Sequence, residues 1–143
     1  MVPVDLTCDL QGGAAMKGIV IPTSLNEKPY LVEFSYNNEN DVYHKEIGCD
    51  YIDMLSLGRH GRYCVYAVVD DSGMINGSPV NERFLQANMR GWCAYPLYGK
   101  VIITSTDLMS GETIELRLND VITTLINSLG FDAMEFANIF NEL

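Results

Sequence analysis

Four groups of residues in this chain are of types that can do chemistry. His60 and Cys64 stand four apart, which on a helix would let both hold one metal ion. The local pattern is that of a strand, and structural zinc wants four ligands, so no metal site is expected. Asp70-Asp71 is a carboxylate pair of the kind that binds divalent cations. Beside Ser72-Gly73 it reads better as turn carboxylates bonded to neighbouring amides. Arg59-His60-Gly61-Arg62 is a compact basic cluster whose guanidinium forks suit phosphate oxygens. The competing reading is a solvated hairpin tip. Trp92, Tyr95 and Tyr98, in the loop RGWCAYPLYG, offer large ring area at few torsions, as a contact surface does. They would otherwise fold over the sheet edge as a lid. Phosphate-loop, zinc-protease, nucleophile-elbow and dinucleotide fingerprints are all missing from the sequence. Cys64 and Cys93 sit among apolar or aromatic residues, which favours packed thiols over activated ones. A non-enzyme without catalytic residues, metal or cofactor is expected.

The charge is more telling. The net charge is −10, with nine acids and three bases over residues 1–56, three and five over 57–100, and seven and one over 101–143. Both ends are acidic and the middle, with Arg83, Arg90 and Lys100 added to the Arg59–Arg62 cluster, is mildly basic. A field of this sign repels phosphates and anionic membranes, which argues against direct nucleic-acid or membrane binding. It suits instead a basic protein partner, including one that carries nucleic acid. The acids of the C-terminal part, Glu112, Glu115, Asp120, Asp132 and Glu135, are the candidates for that contact. The four cysteines form no C-x-x-C pair, and neither a signal peptide nor an apolar run of membrane-spanning length is present. A reduced cytoplasmic protein is expected.

These residues must be held by a fold, and at 143 residues one domain is long enough to bury a core. Residues 1–15, ending in Gly-Gly-Ala-Ala, have no sustained period and are expected to be an extension of a domain over 16–143. Strands are expected at Lys17–Pro22, Tyr30–Tyr36, Asp50–Leu57, from Tyr63 to Val69, at Lys100–Ser105 and at Thr113–Arg117, the first two as a hairpin. Gly73 is expected to supply a positive φ after the Tyr63–Val69 strand, and Gly77 and Pro79 to mark a second reversal. Asn37–Gly48 reads as a marginal helix and Glu82–Asn88 as a short one capped by Asn81. The clearest pattern is Leu118, Val121, Ile122, Leu125, Ile126 and Leu129, one apolar helical stripe capped by Asn119 and ended by Gly130. A second helix, Asp132–Leu143, opens with an Asp132–Glu135 capping box, with Phe131 and Phe136 as its staple. Its three acids and lack of bases exclude a major-groove reader. The fold class is α+β: a mainly antiparallel sheet of five to six strands over 16–117, with the helical hairpin 118–143 packed on one face.

Met16–Asp107 resembles a small family of bacteriophages, plasmids and gut bacteria known as domain of unknown function 3846. The likeness rests on the Met16-Lys17-Gly18-Ile19-Val20 start, on V-D-D-x-G-x-x-x-G-x-P-V-N at Val69–Asn81, and on Tyr98-Gly99 before a β-rich run. The resemblance implies an α+β fold and a phage or mobile-element origin, and brings no catalytic residues. Size, acidity and this resemblance together point to a protein that binds and inhibits a host defence protein of the CRISPR or restriction type by mimicking nucleic acid. The alternatives are a binder that sequesters a nucleotide through the basic middle, and an accessory protein that homodimerises through its C-terminal helices.

Overall fold

Alternating apolar residues build an antiparallel sheet of six strands in the order β2-β1-β5-β4-β3, with β6 beside β5 beyond the end of β1. The computed structural model describes residues 15–89, 91 and 96–143. The strands are β1 (Met16–Ile21), β2 (Tyr30–Phe34), β3 (Ile52–His60), β4 (Tyr63–Asp70), β5 (Val101–Asp107) and β6 (Thr113–Ile114). The helices are α1 (Glu39–Ile47), α2 (Glu82–Met89), α3 (Asp120–Ser128) and α4 (Ala133–Phe140). Successive side chains of a strand point to opposite faces, so the sheet sorts its apolar residues into two cores. Ile19, Ile21, Val65, Ala67, Val69, Val101 and Ile103 pack under α2, α3 and α4. Met16, Val20, Val68 and Ile102 pack on the other side with Phe34 and Tyr43. Because both faces of β4 and β5 are covered, these strands read as nearly continuous apolar runs.

The α+β class and the C-terminal helical pair are as expected. Asn119, in extended conformation, accepts from Ile122 N at 3.0 Å, and Asp132 and Glu135 close both halves of the capping box. The stripe begins later than its spacing suggests. Leu118 precedes the cap, cannot share the helical face, and is 57% exposed. Along α4, Ile139 is buried, Phe136, Ala137 and Phe140 are half-buried, and Ala133 is exposed. α1 is more than marginal: Tyr43 is 1% exposed and meets Phe34 edge-on at 5.2 Å. Gly48 closes α1 in the left-handed region, while Asn38 bonds outside the helix, accepting from Ser35 N at 2.7 Å. Only Thr113 and Ile114 of the expected fifth-strand partner pair with β5.

The basic cluster is less of a loop than expected. Arg59 and His60 belong to β3, and a bulge between Ser56 and Gly58 shifts the register so that His60 pairs with Tyr63. Only Gly61 and Arg62 turn the hairpin, with Gly61 at φ 63°. Asp70 does bond locally, accepting from Ser72 N at 2.8 Å and Asn76 Nδ2 at 3.2 Å. However, Asp70-Asp71-Ser72-Gly73 makes no hairpin. The chain leaves β4 through turns and crosses to α2.

Candidate binding surface

The two pieces of the Val69–Asn81 and Tyr98-Gly99 pattern, far apart in sequence, meet in space. Val80 forms an isolated bridge with Tyr98, Gly99 N donates to Pro79 O at 2.8 Å, and Asn81 N donates to Leu97 O at 2.8 Å. The side chain of Asn81, fully buried, completes the junction. Its Nδ2 donates to Ile21 O and Gly99 O, both at 3.0 Å, while Oδ1 accepts from Phe84 N at 3.2 Å. One amide thus caps α2 and ties the ends of β1 and β5 to it. Gly73 is needed here for closeness, and its φ is not positive. A Cβ on it would stand 2.8 Å from Tyr98 O, a backbone atom that cannot give way. Gly73→Ala should therefore cost about 1–3 kcal/mol, read as a lower urea midpoint with an unchanged slope. An unchanged midpoint would mean the junction is loose.

The described bases of the middle segment do not share a face. Arg59, His60 and Arg62 are exposed at the β3–β4 tip. Arg62 is held by Asp107 through a two-pronged pair at 2.9 and 2.6 Å, which draws the Asp107 carboxyl below its usual range. Lys100 precedes β5, at the opposite end from Asp107, roughly 20 Å away along the strand. It contacts Tyr30 Oη at 3.1 Å and Glu46 at 3.3 Å. Arg83 is 4% exposed: it donates to Glu135 Oε2 at 2.9 Å and to the carbonyls of Leu129, Gly130 and Glu27, with Phe131 against its guanidinium at 5.5 Å.

That pair also removes Glu135 from the surface. Its Oε1 accepts from Asp132 N at 3.1 Å and its Oε2 serves Arg83, leaving the residue 9% exposed. Glu112, Glu115, Asp120 and Asp132 are exposed, as a contact surface requires. Trp92 and Tyr95, like Arg90, lie outside the described residues. Tyr98 is half-buried, and its backbone makes the junction with Gly73 and Val80. His60 is exposed and Cys64 is buried with its Sγ 3.2 Å from Ser56 Oγ. Among the described residues, no three His, Cys, Asp or Glu side chains are grouped to hold a metal ion. No helix among them is long and apolar enough to cross a membrane.

The composition gives no sign of a third feature, a concavity. A cleft of about 770 Å³ opens on the α1 face of the sheet. Its walls are Tyr36 and the first turn of α1, the ends of β5 and β6 with their connecting turn, and Met54 and Tyr66 from β3 and β4. Three carboxylates line it, Glu39, Asp41 and Glu112, and no base does among the described residues. Glu39 is fixed: Oε2 accepts from Tyr43 Oη at 2.7 Å and from Thr113 Oγ1 at 2.6 Å. Burial and the Glu39 carboxylate push the Tyr43 phenol upward, so it stays a donor. Tyr36 Oη donates to Thr113 O at 3.0 Å, and desolvation with the charges of Glu112 and Glu39 raises its pKa too. Of these residues, sequence reasoning singled out Glu112. The others come together through β-pairing that no local pattern reports.

The profile of a domain of unknown function (DUF3846) matches residues 16–127. The chain belongs to the DUF3846 family. The match runs past the Met16–Asp107 span of the recognised features to Asn127, so all but the last residue of α3 lies within the DUF3846 unit. The junction of Val69–Asn81 with Tyr98-Gly99 lies inside it, and α4 lies beyond it. No curated protein and no solved structure matches the chain.

Proposed function

We propose that this DUF3846 protein is a non-catalytic binding protein of a phage or mobile element. Its partner is a basic, nucleic-acid-handling host defence protein of the CRISPR or restriction type. It inhibits that partner in the host cytoplasm by presenting carboxylates where the partner takes phosphates. One observation carries the reading: the acidic surface is not neutralised from within. Glu112, Glu115, Asp120 and Asp132 are exposed, and among the described residues none is in an ion pair. Meanwhile Arg62, Arg83 and Lys100 are each occupied by a carboxylate. An uncompensated field of this kind steers a basic partner and sets its orientation. The phage or mobile-element setting rests on the likeness of the Val69–Asn81 signature.

The alternatives draw less from the geometry. A nucleotide would be held by the Arg59–Arg62 tip alone, where Asp107 already engages Arg62, since Arg83 and Lys100 are each paired elsewhere. A homodimer through the C-terminal helices would need their apolar stripe, yet Ile122, Leu125, Ile126, Leu129 and Ile139 are buried within one chain.

Binding to a purified CRISPR or restriction nuclease tests the proposal. Affinity should fall by about tenfold or more between about 0.1 and 1 M salt, where the screening length shrinks from about 10 to 3 Å. The enzyme's nucleic-acid substrate should compete for the same surface. Salt-indifferent binding, or simultaneous binding with the substrate, would contradict it.

A further inference from the structure

From the cleft between α1 and the β5–β6 turn, and resting on the reading above, we infer that the group it receives is an arginine side chain of the basic partner. Charge complementarity supplies the first argument. Glu39, Asp41 and Glu112 face a common space with no base among the described lining residues, and Glu39 keeps its fixed position through Tyr43 and Thr113. The second argument is the aromatic content of the wall. Tyr36, 47% exposed, and Tyr66 line the cleft together with Asn37 and Asn40, so rings and side-chain amides stand beside the carboxylates. A guanidinium can lie on a ring while its edge donates two hydrogen bonds to a carboxylate, whereas a lysine ammonium presents a compact, strongly hydrated charge.

The chain already uses this combination internally. Arg83 lies 5.5 Å from the centre of the Phe131 ring while its fork serves Glu135 at 2.9 Å and backbone carbonyls. The cleft provides the same three elements, ring, carboxylate and amide oxygen, on an open surface. Its volume of about 770 Å³ exceeds one side chain, so a short segment of partner backbone enters with the arginine.

The probe is N-acetyl-arginine-methylamide, titrated into the isotopically labelled full chain and followed by NMR, with the lysine analogue in parallel. The arginine compound should shift the amide signals of Tyr36, Glu39, Tyr66 and Glu112, and the lysine compound should bind at least about threefold more weakly. Asp41→Asn with Glu112→Gln, both at exposed positions, should weaken the arginine compound by about tenfold while leaving the rest of the spectrum in place. Reversing Glu115, Asp120 and Asp132 to lysine, outside the cleft lining, should leave that affinity within about twofold. Unmoved cleft signals, or equal binding of the two compounds, would overturn the inference. If the same triple reversal still abolished nuclease binding, the acidic-surface reading would stand without the cleft. If it did not, that reading would fall on its own.

Discussion

Arg83→Met should lower the unfolding free energy by about 3–5 kcal/mol, because it leaves the Glu135 carboxylate buried without its cation. The expected loss is large because the pair is a junction of four segments. Arg83 stands on α2, Glu135 on α4, and the other guanidinium bonds go to the α3 terminus at Leu129 and Gly130 and to Glu27. With a chain of this length, each kcal/mol is about 2–4 °C, so the melting temperature should drop by about 10 °C. Glu135→Gln should cost less, since a neutral amide oxygen can still accept from Arg83. The double variant Arg83→Met with Glu135→Leu should recover much of the loss, because no charge then remains buried. Denaturant unfolding of wild type, Arg83→Met, Glu135→Leu alone and the double variant completes the cycle. A single Arg83→Met loss below about 1 kcal/mol would mean the pair is solvated and weak.

Asn81→Ala should be comparably severe, at about 3 kcal/mol or more, since three buried backbone groups lose their partner together. These are Ile21 O, Gly99 O and Phe84 N. Asn81→Ser keeps an oxygen near Phe84 N but cannot reach the two carbonyls, so its cost should be intermediate. Asn81→Asp should preserve the cap and still lose both donors. Hydrogen exchange adds a local readout: the amides of Gly99 and Phe84 should lose protection before those at the centre of β4. Equal stability of Asn81→Ala and wild type would remove the junction from the account of the family signature.

Local patterns account for what was readable in the chain. The α3 stripe repeats at helical period over one segment, and Asn119, Asp132 and Glu135 act within three residues of their partners, so sequence alone carries them. In the turn after β4, Gly73 has the residue type of a positive-φ position but does not use it. Its real constraint is Tyr98 O, twenty-five residues away, and no neighbouring residue signals that contact. Glu135 shows the same limit within a single side chain. The capping-box role of Oε1 is local and legible, whereas the Arg83 role of Oε2 spans 52 positions and turns an expected surface acid into a buried one. The cleft was hidden for this reason also. Its wall draws on residues 36–41, 54, 66 and 106–113, assembled only when β3, β4, β5 and β6 pair.

The acidic surface is the part of this account on which function turns, and reversing its charge tests it most directly. The variant carrying Glu112→Lys, Glu115→Lys, Asp120→Lys and Asp132→Lys moves the net charge from −10 to −2, each reversal adding two. Four exposed residues should cost little stability once Asp132 capping is allowed for, about 1 kcal/mol. Inhibition of the host nuclease by this variant, measured beside the wild type at low salt, is the decisive comparison. The account predicts a loss of about a hundredfold or more with the fold intact. Undiminished inhibition by a folded variant would contradict it.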